Sequence, residues 1–313
     1  MVFLSVSKNR LQEVESSLSE CSQLEKVFLD SNFIRFLPSS LGKLRHLSVL
    51  RLDCNKLLVV NPSLTFVSSL VRLWLPLTEM TMLPPELCYL TNLRELKLDN
   101  VPLKSPPTEV LLGGCQNVLS YLSRLQTGKE ANQINLSGFS LLSVPFEVTY
   151  LSNLTRLVLD NNRLKTLWPI TPTPHPTERD KAIIIGGGKL AYRHFGTPKG
   201  RTLHWEEPPD PLRLVGPYDD LATPAIDRYP VHFLGNLVNL QYLSAKDNLI
   251  SELPAKCFPR WQTCLRELFL DNNQISILPF EMHTLDMLQS FTINGNNLKH
   301  PPVDFQTEGF PTL

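Results

Sequence analysis

The segment Leu265–Ile275 reads LRELFLDNNQI, and Leu278-Pro279 follows it. The same pattern, Leu-x-x-Leu-x-Leu-x-x-Asn-x-Leu and then Leu-Pro or Pro-Pro, recurs in ten copies along the chain. The first position of the copies is occupied by Met1, Leu24, Leu47, Leu70, Leu93, Ala131, Leu154, Leu240, Leu265 and Leu288. Self-similarity at a fixed period of this length is typical of a solenoid, in which each repeat packs on its neighbours.

The spacing of the copies is regular except at two places. The usual step is 23 residues, as from Leu24 to Leu47 (47 − 24), and the step between the eighth and ninth copies is 25. Two steps are longer: 38 residues between the fifth and sixth copies, and 86 between the seventh and eighth. The long steps predict an extra element after the fifth copy and an insertion within the seventh.

Each repeat has a readable local structure. The Leu-x-Leu core alternates with period two, which predicts a short strand with its leucines inward and the x residues outward. The Leu-Pro step predicts a turn onto the convex side, because proline cannot donate a backbone hydrogen bond to a sheet. The outward x residues of the ten cores are Ser5, Phe28, Arg51, Trp74, Lys97, Asn135, Val158, Ser244, Phe269 and Thr292.

The asparagine that follows each strand predicts a structural ladder. Its short amide side chain can hydrogen-bond backbone groups at the turn, and stacked copies would satisfy polar backbone that is buried between repeats. The predicted ladder comprises Asn9, Asn32, Asn55, Asn162, Asn248, Asn273 and Asn296. Thr78, Val101 and Phe139 occupy the same position in three successive copies. We therefore expect curvature or local stability to change between the fourth and sixth repeats.

The 23-residue repeat resembles the intracellular Ras-associated class of leucine-rich-repeat proteins. The likeness lies in return segments such as 83–93, LPPELCYLTNL, and it extends over the whole chain except the two interruptions. The resemblance implies an α/β fold, a leucine-rich-repeat solenoid with a curved parallel sheet on its concave face and short turns, 3-10 or helical returns on its convex face. It also implies a scaffold whose partner is a protein, of the small-GTPase or phosphatase signalling type.

The sequence predicts three parts. A first sub-array at 1–107 and a second at 131–313 are joined by a cap-like helical connection at 108–130, and a proline-rich insertion at about 169–229 interrupts the second. In the connection, Val118, Leu119, Tyr121, Leu122 and Leu125 have the spacing of an amphipathic helix. The insertion favours a loop, because its prolines and charges pack poorly. Solenoid ends normally carry caps and neither end shows one, so we expect the chain to be part of a longer protein or assembly.

Composition narrows the class of partner and the compartment. The formal net charge is +0, so no general attraction to nucleic acid or to an anionic membrane is predicted. No apolar run of about 18 residues occurs, so no membrane span is expected. The six cysteines form no end-cap cluster, which favours free thiols and a cytoplasmic location. Cys257 and Cys264 share one return segment, and a disulfide between them is the alternative.

Two patterns resemble enzyme chemistry and are interpreted otherwise. The glycines of 186–188 and Lys189 follow three isoleucines, but the sequence lacks the helix and the βαβ unit that a dinucleotide site needs, so loop glycines are favoured. No histidine has metal-ligand spacing to a cysteine. The histidines are His46, His175, His194, His204, His232, His283 and His300. No catalytic residue, metal or cofactor is predicted, and the chain is predicted not to be an enzyme.

The concave face is the predicted binding site. Exposed aromatic side chains beside arginine are typical of interface hot spots, although single exposed aromatics are common on any surface. The predicted protein-binding residues are Phe28, Arg51, Arg72, Trp74, Lys97 and Phe269. A column of aspartates beside them, Asp30, Asp53, Asp99, Asp160 and Asp271, is interpreted as turn residues. The predicted function is a non-catalytic protein-interaction scaffold in intracellular signalling; the alternative is the recognition segment of a larger enzyme or receptor of the kinase or GTPase type.

Overall fold

The computed structural model describes residues 2–167 and 234–299. These residues form two parallel sheets of five strands each, with the strands in sequence order. The first sheet comprises β1 (Phe3–Ser5), β2 (Lys26–Phe28), β3 (Val49–Arg51), β4 (Arg72–Trp74) and β5 (Glu95–Lys97). The second comprises β6 (Gln133–Asn135), β7 (Arg156–Val158), β8 (Tyr242–Ser244), β9 (Glu267–Phe269) and β10 (Ser290–Thr292). The predicted leucine-rich-repeat solenoid is confirmed.

The strands pair at equivalent positions of the repeat, so the register is the same throughout. Val27, Leu50 and Leu73 are the middle residues of consecutive strands, pair with one another and are completely buried. The β7–β8 pair has the same register, with Leu157 opposite Leu243, although 86 residues separate the starts of the two repeats. The second long step therefore does not interrupt the sheet.

Two helices lie between the sheets in sequence, α1 (Thr108–Leu112) and α2 (Gly114–Ala131). The buried side chains of α2 include all five apolar residues whose spacing predicted a helix. The helix ends at Asn132, which adopts the left-handed conformation that commonly ends a helix (φ 56°). One continuous apolar core runs through both sheets and includes α2. The division of the chain into parts at 1–107, 108–130 and 131–313 stays a prediction.

The convex side is made of short return helices. The 3-10 helices are Ser16–Glu20, Ser39–Lys43, Pro62–Phe66, Pro85–Tyr89, Phe146–Tyr150, Leu234–Asn236, Ala255–Cys257 and Phe280–Thr284. Two of them begin with proline, whose fixed φ suits the first position of a helix. The 25-residue repeat has room for a turn of α-helix, α3 (Phe258–Trp261), whose Phe258 and Trp261 are buried.

The asparagine side chains join each repeat to the one before it. The Oδ1 of Asn55 accepts a hydrogen bond from the backbone N–H of Ile34 (3.0 Å), and its Nδ2 donates to the carbonyls of Leu29 (3.0 Å) and Leu52 (2.9 Å). The same pattern occurs at Asn32, Asn162, Asn248, Asn273 and Asn296. Asn9, in the first repeat, donates to carbonyls of its own repeat.

The ladder has different interactions at the positions where another residue replaces asparagine. Thr78 donates its hydroxyl hydrogen bond to the carbonyl of Leu75 (2.9 Å), in its own repeat. Phe139 is buried and packs edge-on against Tyr121 of α2, with ring centroids 5.4 Å apart. The guanidinium of Arg124 lies 5.1 Å from the centroid of the Phe139 ring. At the sixth repeat, packing on the helix therefore takes the place of the amide.

We expect Phe139→Asn to destabilise the protein by about 2 kcal/mol, although it restores the residue typical of the repeat. The reason is that asparagine cannot fill the space against Tyr121. Phe139→Leu, which stays apolar, should lose roughly half as much. Urea unfolding followed by circular dichroism measures both variants. An asparagine variant at least as stable as the wild type would show that Phe139 is only a defect in the ladder.

Several predictions from the sequence lie outside the described residues. They are the insertion at 169–229, the glycines of 186–188 with Lys189, and His175, His194, His204, His232 and His300. Within residues 2–167 and 234–299, no helix combines the length and hydropathy needed to cross a membrane. In the same residues, no group of three or more His, Cys, Asp or Glu side chains is placed to hold a metal ion.

Candidate protein-binding surface

Four outward side chains of the first sheet form a row, here called the first stripe: Phe28, Arg51, Trp74 and Lys97. They occupy the same position on β2, β3, β4 and β5, and each pairs with the next. The guanidinium carbon of Arg51 lies 5.3 Å from the ring centroid of Phe28 and 4.7 Å from that of Trp74. The ammonium of Lys97 lies 4.3 Å from the Trp74 ring centroid. Aromatic rings and cations therefore alternate along the stripe.

The central cation of the stripe is held in place by two carboxylates. The Nη2 of Arg51 lies 3.1 Å from Oδ2 of Asp53, and its Nε lies 3.8 Å from Oδ1 of Asp30. The hydrogen bond with Asp53 raises the pKa of Arg51 above its usual value, and the charges of Asp53 and Asp30 add to this against the effect of burial. The guanidinium therefore lies between two rings and is held by two carboxylates.

The stripe continues at one end in an aromatic ring that the sequence analysis missed. Phe3 on β1 packs edge-on against Phe28, with ring centroids 5.0 Å apart, and is 50 % exposed. Phe3 lies two residues before Ser5, at the strand position that precedes the inward leucine. The sequence analysis looked for aromatic anchors only at the strand position that follows this leucine. A search of both positions would have found Phe3.

Positive charge borders the first stripe. Lys26 and Arg72 lie in the column that contains Phe3, and both are exposed. Among residues 2–167 and 234–299, neither forms an ion pair. Lys97 is exposed at the end of the stripe and pairs with Glu95 at 3.4 Å. Two cations without an ion pair in the described residues therefore lie on one side of the rings, whereas the aspartates Asp30, Asp53 and Asp99 lie on the other side.

The predicted binding residues fall into two groups. Arg72 lies on β4 beside the first stripe, whereas Phe269 lies on β9 of the second sheet. Phe269 contacts Tyr242, with ring centroids 5.2 Å apart, and Lys246, whose ammonium lies 4.6 Å from its ring centroid. Phe28, Trp74 and Phe269 are each half-buried, not fully exposed. The six residues do not form one continuous patch.

Two of the residues expected to point outward are buried. Val158 is 9 % exposed and Ser244 is completely buried. The hydroxyl of Ser244 donates a hydrogen bond to Oδ1 of Asp160 (2.6 Å), which also accepts one from the backbone N–H of Lys246 (2.8 Å). Ser244 keeps the strand position of Val158 and Phe269, with which it pairs, so it lies in the predicted column but is not accessible to a partner. Asp160 in this position links two repeats, the turn role that its column suggested.

The cysteines form no disulfide, so the alternative of a Cys257–Cys264 bond is wrong in this structure. All six cysteines lie in the described residues and are free. Cys257 is completely buried, and burial raises the pKa of its thiol far above the usual value. A thiol with so high a pKa is a poor nucleophile at neutral pH.

The chain was compared with known proteins in three ways. No protein-family model matches it, and neither does any curated protein sequence. Among solved structures, a leucine-rich-repeat protein of Leptospira interrogans is 25% identical over 93% of this chain and 59% of its own, with a TM-score of 0.33. Internalin C2 from Listeria monocytogenes is 16% identical over 95% and 73%, with a TM-score of 0.28. The Arabidopsis receptor kinase HAESA, in complex with a peptide hormone and a co-receptor, is 18% identical over 95% and 42%, with a TM-score of 0.32.

The chain therefore spans 59% of the length of the Leptospira protein and 42% of the length of the receptor kinase. At these TM-scores the likeness carries no argument about function. The fold is assigned from the strand register and the asparagine hydrogen bonds of the chain itself. Membership of the Ras-associated class stays a prediction from the repeat.

Proposed function

We propose that the chain is a non-catalytic protein-interaction scaffold that binds a partner protein through the concave face of the first sheet. The first stripe carries the proposal, because two aromatic rings, those of Phe28 and Trp74, flank Arg51 on the concave face. Tryptophan, tyrosine and arginine are the residues most enriched at energetic hot spots of interfaces. The role in intracellular signalling, the cytoplasmic location and a small-GTPase or phosphatase type of partner rest on the family resemblance.

The geometry favours binding because association would immobilise few additional side chains. Arg51 contacts Asp30, Asp53 and two rings before any partner arrives. Immobilising a flexible side chain on association costs about 0.5–1.5 kcal/mol, and a side chain that is already fixed avoids much of that cost. The row of alternating rings and cations is therefore a preorganised surface.

The charged side chains beside the first stripe indicate which groups a partner segment should carry. Lys26 and Arg72 border the stripe without an ion pair in the described parts of the chain. A partner segment that carries carboxylates around an apolar centre would complement both features. Binding of this kind should weaken as the salt concentration rises, because exposed charges are screened.

The test is the double variant Arg51→Ala/Trp74→Ala in a quantitative capture experiment. Wild-type and variant chains are immobilised, exposed to the same lysate, and the captured proteins are quantified by mass spectrometry. We expect the proteins enriched by the wild type to fall at least tenfold with the double variant, because both anchors of the stripe are removed.

The matched control is Phe66→Ala, which removes an aromatic ring that is 73 % exposed on the return side. It should capture the same proteins as the wild type. Circular dichroism and thermal unfolding confirm that each variant is folded. Equal capture by the double variant and the wild type would mean that the first stripe is not the binding surface.

A further inference from the structure

The second sheet carries an arginine whose hydrogen-bonding capacity is unused. Arg156 on β7 stacks on Tyr242 of β8, with its guanidinium carbon 3.4 Å from the ring centroid. Within residues 2–167 and 234–299, its side chain forms no hydrogen bond and no ion pair. A guanidinium has five N–H donors in one plane. Stacking occupies a flat side of the group and leaves the edges that carry those donors available.

Arg156 and Tyr242 line a hollow of about 360 Å³ on β6, β7 and β8. The other residues around it are Gln133, Ile134, Asn135, Val158 and Asp160. A volume near the lower end of the range of ligand pockets can hold one or two side chains of a peptide but not a folded domain. The hollow therefore combines a preorganised arginine with a lining of polar groups.

We propose that this hollow binds a carboxylate of an extended peptide, and that the Arg156 guanidinium is its principal ligand. The planar fork of arginine matches the two oxygens of a carboxylate and forms paired, charge-assisted hydrogen bonds with it. Gln133, which pairs with Arg156 across β6 and β7, lies beside the same end of the hollow and can donate from its amide. This site lies on the second sheet and does not depend on the first stripe.

The negative groups nearby favour a carboxylate over a phosphate. Asp160 is at the other end of the hollow, four residues after Arg156 and beyond the end of β7, which corresponds to roughly 13 Å of extended chain. Its Oδ1 already accepts hydrogen bonds from Ser244 and from the backbone of Lys246. Glu267 pairs with Tyr242 in the sheet. A phosphate group carries nearly two negative charges and would be repelled by these two carboxylates more strongly than a carboxylate would.

The experiment titrates short peptides of known composition into the full chain. One peptide is blocked at both termini and contains a single central glutamate. A second has glutamine in its place and a free terminal carboxylate, and a third has glutamine and two blocked termini. The readouts are the Nε–H resonance of Arg156 in nitrogen-correlated NMR spectra and the dissociation constant. We expect a carboxylate peptide to bind with a dissociation constant on the order of 1 mM and to shift the Arg156 resonance saturably.

The two carboxylate peptides distinguish a side-chain carboxylate from a terminal one, and tighter binding of either supports the site. The neutral peptide should bind at least tenfold more weakly. Arg156→Gln, and also Arg156→Lys, should weaken the preferred peptide at least tenfold, because lysine keeps the charge but not the fork. Arg266→Gln, which changes an exposed arginine directly before β9, should leave the affinity unchanged.

Three results would overturn the proposal. The first is no saturable shift of Arg156 with either carboxylate peptide. The second is equal binding by the neutral peptide, or by the Arg156→Gln chain. The third is tighter binding of a phosphoserine peptide than of both carboxylate peptides. None of these results bears on the first stripe, because the capture experiment uses other residues and another readout.

Discussion

Asn55→Ala is expected to lower the free energy of unfolding by about 4 kcal/mol. The amide of Asn55 is the hydrogen-bond partner of three buried backbone groups, the N–H of Ile34 and the carbonyls of Leu29 and Leu52. A buried polar group left without a partner costs about 1–3 kcal/mol, and alanine would leave three of them. Urea unfolding of the wild type and the variant, followed by circular dichroism, measures the loss.

Asn9→Ala is the matched control, because it removes the same residue type from the same repeat position. Asn9 is exposed, and in the described residues it donates only to the carbonyls of Val6 and Ser7, two partly exposed residues. Its loss should cost less than about 1 kcal/mol. If the two variants were equally destabilised, the cost would come from the loss of a turn residue in general and not from the ladder.

The fold could be predicted from the sequence because the structure repeats with the sequence. A spacing of 23 residues places equivalent residues on adjacent strands, so the row of Phe28, Arg51, Trp74 and Lys97 follows from counting. The fold class is confirmed. The hydrogen bond from Leu164 N–H to Asn248 (3.0 Å) shows the same rule across the long insertion.

The details that escaped prediction depend on side-chain contacts that the repeat spacing does not specify. Arg156 and Tyr242 pair across β7 and β8, so the register brings them together, but the spacing alone does not show that the guanidinium stacks on the ring. The hydrogen bond from Ser244 to Asp160 recurs between Thr292 and Asp271, yet Ser244 is completely buried and Thr292 is not. The contacts around α2 join three segments that no period relates, so sequence spacing could not bring them together.

The most important of these contacts is a buried carboxylate. Glu147, in the 3-10 helix Phe146–Tyr150, is 4 % exposed. Its Oε1 accepts hydrogen bonds from the Ser105 hydroxyl (2.6 Å) and from the Tyr121 hydroxyl of α2 (2.5 Å). Glu147→Ala would leave both buried hydroxyls without this acceptor and would open a cavity beside α2. We expect it to lower the free energy of unfolding by about 4 kcal/mol.

The pH dependence of stability tests the charge of Glu147 separately from its packing. Burial raises the pKa of Glu147 above its usual value, and the hydrogen bonds from Ser105 and Tyr121 offset this only in part. A raised pKa means that folding favours the protonated acid. The stabilisation is therefore fully present below the pKa of the unfolded chain and is lost as the pH rises through the pKa of the folded state.

Glu147→Gln keeps an acceptor for both hydroxyls and cannot titrate, so it is the matched variant for this test. The free energy of unfolding of the wild type, minus that of the glutamine variant, should be largest at low pH and should fall as the pH rises through the folded pKa. Urea unfolding of both chains at a series of pH values gives this difference, in which the other titrating groups cancel. Parallel pH profiles would mean that Glu147 ionises as easily in the folded chain as in the unfolded one. This is not expected of a buried carboxylate, because one of its oxygens has no hydrogen-bond partner in the described residues.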